Sequence, residues 1–313
     1  MNEVAFITSG FLPVPETKGG AVESLVQNLI DENEKQKKKK FIIFSIYEKE
    51  AEKKSQSYKN TEFLFYRPFF LIRIMDLLLF YIVTFLFKKE KKTSYKFIIQ
   101  RLFYLNYVSK KLKKNNYNSI VVENNATLFL ALKWRKNYIK YKGKYYFHLH
   151  NDISNLYGCK KIIEGCRKIF TVSKYISKIV EKKLIYDSNN IHILMNCIDI
   201  NKFNSSYSQN EKQKLRKKLN IDRKDKVIIF VGRTIQEKGI LELIKAFNNS
   251  KNKNWKLLLI GSSGFDINIK SQFEEKIYLE CKNNKNIIFT GYVPYANLGI
   301  YYSYKKKRSL LDT

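Results

Sequence analysis

Short apolar runs alternate with amphipathic stretches along most of the chain. Residues 4–8 form a first apolar run and predict a strand. Residues 21–33 carry Val22, Leu25, Val26, Leu29 and Ile30 on one helical face. Residues 41–46 predict the next strand, so the chain opens as a βαβ unit and a parallel sheet is expected. The runs 119–123, 144–150, 168–172 and 191–195 predict further strands, with a helix over 127–135. Another helix carries Ile176, Ile179, Val180 and Leu184. Residues 201–225 are polar and charged, a linker with a short helix. A second series then starts from its own first strand at 227–231. It continues with a helix bearing Ile240, Leu243, Ile244 and Phe247, a strand at 255–260, a helix around 269–281 and a strand at 286–290. The restart argues for two α/β domains, 1–197 and 198–313, with only three clear strands in the second.

Residues 60–115 break the alternation. Residues 69–87 are almost wholly apolar or aromatic, yet contain Arg73 and Asp76, and are flanked by Arg67, Lys88, Lys89, Lys91 and Lys92. A charge at the centre of a spanning helix costs about 2.5–3.5 kcal/mol. An interfacial helix with one apolar side and cations at its rim tolerates both charges better. The segment is therefore expected to be a membrane-associating insertion. An aromatic helical layer over the sheet and a true span are the other two readings.

The composition is globular, with 44% hydrophobic residues, and 59 Lys and Arg against 28 Asp and Glu give a formal charge of +31. Such a balance favours anionic partners. The lysines are spread through the chain rather than gathered on a module, so no specific nucleic acid is expected. Cys159, Cys166, Cys197 and Cys281 lack metal-binding spacing and read as reduced cytosolic thiols. No signal peptide is read at the start.

Candidate chemistry lies mainly at strand ends. Gly232 breaks the 227–231 run, Arg233 and Lys238 follow on the loop, and Gly239 leads into a helix. Two cations at the carboxyl end of a parallel strand, beside a helix N-terminus, suit a diphosphate. Gly19 and Gly20 precede the first helix and let the backbone approach a ligand with free N–H groups, although GxGxxG is not matched. His148 and His150 alternate along one strand and share a face, with Asp152 nearby. No matching cluster elsewhere completes a metal site, so none is expected.

These stretches together resemble the family-4-like (group 1) glycosyltransferases of the GT-B fold. The resemblance rests on Gly19-Gly20-Ala21-Val22-Glu23, His150-Asn151-Asp152, Thr171-Val-Ser173-Lys174, and Asn196-Cys-Ile-Asp199 followed by Phe203. It continues through Val231-Gly-Arg233-Thr-Ile-Gln-Glu-Lys238-Gly239, Leu258-Leu-Ile-Gly261 and Phe289-Thr-Gly-Tyr292-Val293-Pro294. The motifs follow the family's order. The resemblance implies two Rossmann-like domains facing across a cleft, an acceptor-binding first domain and a nucleotide-sugar-binding second one, the latter incomplete. It implies that Arg233 and Lys238 hold the donor diphosphate, that Gly19 and Gly20 approach the same phosphates, and that His150 lies near the transferred sugar. Tyr292 and Val293 would frame the base, and Glu23, Asn151, Ser173 and Asn196 would lie on the acceptor side or in the cleft. The implied reaction retains anomeric configuration and needs no cofactor and no obligatory metal. The implied acceptor is a cell-surface polysaccharide or lipid-linked glycan at the cytoplasmic face of an anionic membrane.

Two features depart from the family pattern. Cys197 stands where many members have glycine, and the paired glutamates of the E-x7-E motif do not follow Pro294. Lys305-Lys-Lys307 suggests a frame slip, so a C-terminally truncated copy is expected. The alternative to an active enzyme is an inactive remnant of one, and a basic nucleic-acid-binding protein is a distant third.

Overall fold

The computed structural model describes residues 2–85, 97–203, 207–250, 252, 254–261 and 272–303. Two compact units divide the chain, Met1–Ile198 and Asp199–Thr313.

The first unit is built on seven strands: β1 (Glu3–Ile7), β2 (Lys40–Ile46), β3 (Thr61–Tyr66), β4 (Ser119–Glu123), β5 (Tyr145–Leu149), β6 (Lys168–Thr171) and β7 (Ile191–Ile193). Their order is β3-β2-β1-β4-β5-β6-β7, and neighbours are parallel throughout. Both faces are covered, which is why the inner strands read as unbroken apolar runs. Alternation sends Ala5, Ile7, Ile42 and Phe44 into one core and Phe6 and Ile43 into the other. The first core receives Tyr104, Leu105, Val108 and Leu112 from the helix Ile98–Lys114; the second receives Val26 and Ile30 from α1 (Ala21–Gln36). Each such aliphatic or aromatic side chain contributes roughly 1.5–3 kcal/mol on full burial. Tyr104 also donates its hydroxyl hydrogen towards the Phe44 and Thr8 carbonyls, at 2.9 and 3.2 Å, so its polar end is satisfied inside the core.

Residues 60–115 are not one insertion. Thr61–Tyr66 is the edge strand β3, pairing Phe63 with Ile43 and Phe65 with Ser45 on β2. An aromatic-rich six-residue run fits a half-buried pleated surface, and pairing with β2 satisfies one side of its backbone. The helix expected over 127–135 is also replaced, by short turns at Ala126–Phe129, Leu130–Lys133 and Trp134–Lys136. Arg135 and Lys136 take left-handed φ values of 57° and 52°, which no continuous right-handed helix accommodates.

After β3 come two helices that pack together. With α2 as Lys49–Ser55, these are α3 (Phe70–Phe85) and α4 (Ile98–Lys114). Ile72, Asp76 and Phe80 are buried at spacings of four along α3, which packs on α4. Asp76 is explained by this packing: its Oδ1 accepts from the Ile99 N–H at 2.8 Å and its Oδ2 from Gln100 at 2.9 Å. It caps α4 from the neighbouring helix and places a carboxylate at the positive end of the α4 dipole. The other side of α3 is open, with Phe70 74%, Leu78 57% and Phe85 73% exposed. Among the described residues, no helix is long and apolar enough to cross a membrane. Lys88, Lys89, Lys91 and Lys92 lie outside the described residues.

In the second unit, Ser208 and Glu211 form a reciprocal capping box at the start of helix Gln209–Lys218. Strands β8 (Lys226–Val231), β9 (Trp255–Ile260) and β10 (Ile287–Gly291) form a parallel sheet in the order β10-β9-β8. Ile240, Ile244 and Phe247 of helix Ile240–Asn249, with Ile277 and Cys281 of helix Gln272–Cys281, cover Leu257, Leu259 and Ile287. Residues 269–271, where the second of these helices was expected to begin, and the tail 304–313 lie outside the described residues.

Candidate active site

In the first sheet the chain steps outward from β1 to β2 and β3, then returns to the other side of β1 with β4. Open α/β sheets bind ligands where the strand order reverses in this way, at the carboxyl ends of the strands. Here that point brings the loop after β1 beside the end of β4.

On the β1 side, Glu23 of α1 is buried and accepts from Ser9 Oγ at 2.7 Å. Gly20 has φ +118°, and a Cβ there would run into the Glu23 carboxylate and Leu12. Glycine is thus required at this position by the fold itself. The free N–H expected at Gly19 is instead donated to Glu16 Oε1 at 2.6 Å.

On the β4 side, register places Glu123 opposite His148 of β5. The buried Glu123 Oε2 lies 3.1 Å from His148 Nδ1 and 3.3 Å from His150 Nε2. The two imidazole rings are 4.1 Å apart between centroids. Burial by itself would raise the Glu123 carboxyl, but the two imidazoles outweigh it and hold it below the ordinary carboxylate range. Burial pushes Glu23 up, against the Ser9 hydrogen bond, and the neighbouring Glu123 charge adds to the rise. The two carboxyls are therefore displaced in opposite directions, which favours a proton on Glu23 while Glu123 is ionised.

Asn124, left-handed at φ 61°, turns its Oδ1 back to accept from the His150 and Asn151 N–H groups at 3.0 and 3.1 Å. A cavity of about 140 Å³ opens beside this turn, lined in part by Asn124, Asn125, Asn151, Asp152, Ser154 and Tyr157. Asp152 pairs with Lys183 at 2.7 Å and does not join the histidines. Among the described residues, Glu123, His148 and His150 are the group whose metal-ligating atoms converge, all within 4.8 Å of one another. The sequence offers Asp152 as the acid nearest the two histidines, because the register that brings Glu123 to His148 is invisible along the chain. Ser173 accepts from the Ile176 N–H at 3.3 Å and caps the helix Lys174–Lys183. Asn196 is exposed on the extended stretch after β7.

In the second unit, parallel pairing puts the ends of β8, β9 and β10 along one edge. Arg233 and Lys238, both exposed, follow β8, and Tyr292 and Val293 follow β10. Lys238 ends a short turn, Gln236–Lys238, and left-handed Gly239 then starts the helix Ile240–Asn249. At the middle strand, Gly261 has φ +132° and a Cβ there would overlap the Gly232 carbonyl oxygen. The ends of β8 and β9 can meet so closely only because residue 261 is glycine.

Residues 211–307, which contain this edge, match the model of the glycosyl transferases group 1. This stretch of the second unit is thus similar to the glycosyl transferases group 1. An uncharacterized glycosyltransferase of Methanocaldococcus jannaschii is 28% identical over 130 residues, 42% of this chain. The chain spans about a third (32%) of the length of that relative. A glycosyltransferase from Rickettsia africae superposes with a TM-score of 0.66 at 15% identity, covering 97% of this chain and 71% of that one. The Anabaena protein HepE, crystallised with UDP and glucose, gives 0.62 at 14% identity, covering 94% and 70%. The chain has the α/β fold of these GT-B neighbours.

Proposed function

We propose that the chain is a retaining glycosyltransferase that moves a sugar from a nucleotide-sugar to a cell-surface polysaccharide or lipid-linked glycan. The observation that carries this reading is the carboxyl edge of the second sheet. Within the family-matched segment, Arg233 and Lys238 follow β8 beside the start of the helix Ile240–Asn249. There they suit a donor diphosphate and would stabilise the negative charge that develops as the sugar–phosphate bond breaks. This role needs no obligatory metal. Tyr292 and Val293, at the end of β10, suit the nucleotide base. Gly19 and Gly20 are assigned to the donor phosphates, His150 to catalysis near the transferred sugar, and Glu23, Asn151, Ser173 and Asn196 to the acceptor side or cleft. UDP is the first nucleotide to test, since HepE was crystallised with it.

The open apolar face of α3 supports action at a membrane surface. A helix with one side packed on α4 and the other side rich in Phe, Leu and Tyr suits the headgroup boundary of an anionic bilayer, and the strongly basic chain adds attraction. The cytoplasmic face of the cell membrane is the proposed location.

The test is titration of UDP and UDP-sugars into the full chain and into a Arg233→Ala, Lys238→Ala double variant. Binding that is weakened at least tenfold in the double variant is expected. Equal binding by both proteins would sink the donor-site assignment. Proton NMR of the transferred sugar reads the anomeric outcome, and an inverted product excludes the retaining mechanism.

A further inference from the structure

The contacts around Glu123 determine which nitrogen of each histidine carries hydrogen. An ionised carboxylate has only acceptor sites. Its oxygens face His148 Nδ1, at 3.1 Å, and His150 Nε2, at 3.3 Å. Each of those nitrogens must therefore donate. In a neutral imidazole the opposite nitrogen is then a bare acceptor. Those opposite atoms, His148 Nε2 and His150 Nδ1, are buried and have no hydrogen-bond partner in the structure. Asn124 fixes the backbone at the same place by accepting from the His150 N–H.

We infer that Glu123 is a positioning residue, which holds the His150 ring in one orientation with hydrogen on Nε2 and Nδ1 bare. His148 is the second support: its Nδ1–H donates to the same carboxylate, and its ring lies against that of His150. The reacting role of His150 rests on the reading given under Proposed function. The hydrogen-bond pattern does not.

The three side chains could also close on a divalent cation, since their ligand atoms lie within 4.8 Å of one another. Metal-bound histidines almost always donate their second ring nitrogen to a carboxylate, carbonyl or water. Here the second nitrogens have no such partner, and the short contacts run from each ring to the carboxylate itself. The geometry favours two N–H donors over a shared ion.

Two-bond nitrogen–proton NMR of ¹⁵N-histidine-labelled full-length protein tests this without any reaction. Expected are one Nδ1–H ring, His148, and one Nε2–H ring, His150, assigned with His148→Gln and His150→Gln. The opposite tautomer at His150 overturns the inference. So does a stoichiometric divalent metal that survives purification and is lost from Glu123→Gln. Glu123→Gln, whose amide can satisfy one ring as acceptor but presents N–H to the other, is expected to change at least one tautomer. In sugar transfer it should lower kcat at least about tenfold while donor KM stays within about twofold. Unchanged kcat with the expected tautomers in the wild type overturns the positioning role. If the wild type transfers no sugar to any acceptor tried, the functional proposal fails, and the NMR result still decides the hydrogen-bond pattern.

Discussion

Asp76 is the only acidic residue on an otherwise apolar helix face, and its removal should be costly for a specific reason. Its two oxygens accept from the Ile99 and Gln100 N–H groups at 2.8 and 2.9 Å, and Asp76 and Gln100 are both buried. Asp76→Ala removes a cap, for which about 0.5–2 kcal/mol is usual. It also leaves two donors at a helix start without an acceptor, and each buried, unsatisfied group costs about 1–3 kcal/mol. These terms overlap, because the cap energy is itself largely the satisfied donors. A combined loss of about 2–4 kcal/mol follows. For a unit of this size, 1 kcal/mol shifts the midpoint by about 2–4 °C, so a fall of roughly 5–15 °C is expected. Asp76→Asn keeps one acceptor oxygen and loses the charge at the positive end of α4, so it should fall between wild type and Asp76→Ala.

Two units need not unfold together, so a single melting curve is a blunt assay. Amide hydrogen exchange resolves the effect: protection in α4 should fall in Asp76→Ala while protection in β8 and β9 of the second unit stays. If α4 keeps its protection and the midpoint moves by less than about 1 °C, Asp76 does not cap α4 and the account of α3 as a packed helix with one open face fails with it.

Further predictions concern other parts of the chain. Gly261→Ala meets the Gly232 carbonyl oxygen at a φ of +132°, so it should destabilise the second unit and speed proteolysis there, with hydrogen exchange in the first unit unaffected. Because the folded-state pKa of Glu123 is depressed, its stabilising contribution is present above the ordinary carboxyl value of 4.5 and is lost as pH falls through the lower folded value; the stability gap between wild type and Glu123→Gln should therefore narrow in acid, read by denaturant midpoints across pH. Glu23, displaced upward, has the opposite sign: its contribution is full below 4.5 and is lost as pH rises through its raised value, so Glu23→Gln should remove that loss. Phe70→Glu with Leu78→Glu should reduce sedimentation with anionic vesicles, and salt should weaken wild-type binding; equal binding by the double variant refutes α3 as the contact face.

Much of the fold was legible because apolar periodicity and burial coincide. Buried strands such as residues 42–46 and amphipathic helices such as Ile240–Asn249 show directly in the sequence. What was not legible depends on register and on partners far along the chain. The edge strand Thr61–Tyr66 was hidden because the same aromatic residues suit a membrane insertion, and only pairing with β2 distinguishes the two. Asp76 looked like a cost to an apolar helix, since its partners lie more than twenty residues away at the start of α4. Glu123 drew no attention at all, although His148 and His150 did. An acid at the end of one strand and a histidine on the next meet only once parallel register is set. The sequence can therefore identify strand ends where polar residues gather, but the assignment of a proton to one nitrogen of His150 requires the neighbouring strand. That is why the histidines were visible as candidates while the carboxylate that orients them was not.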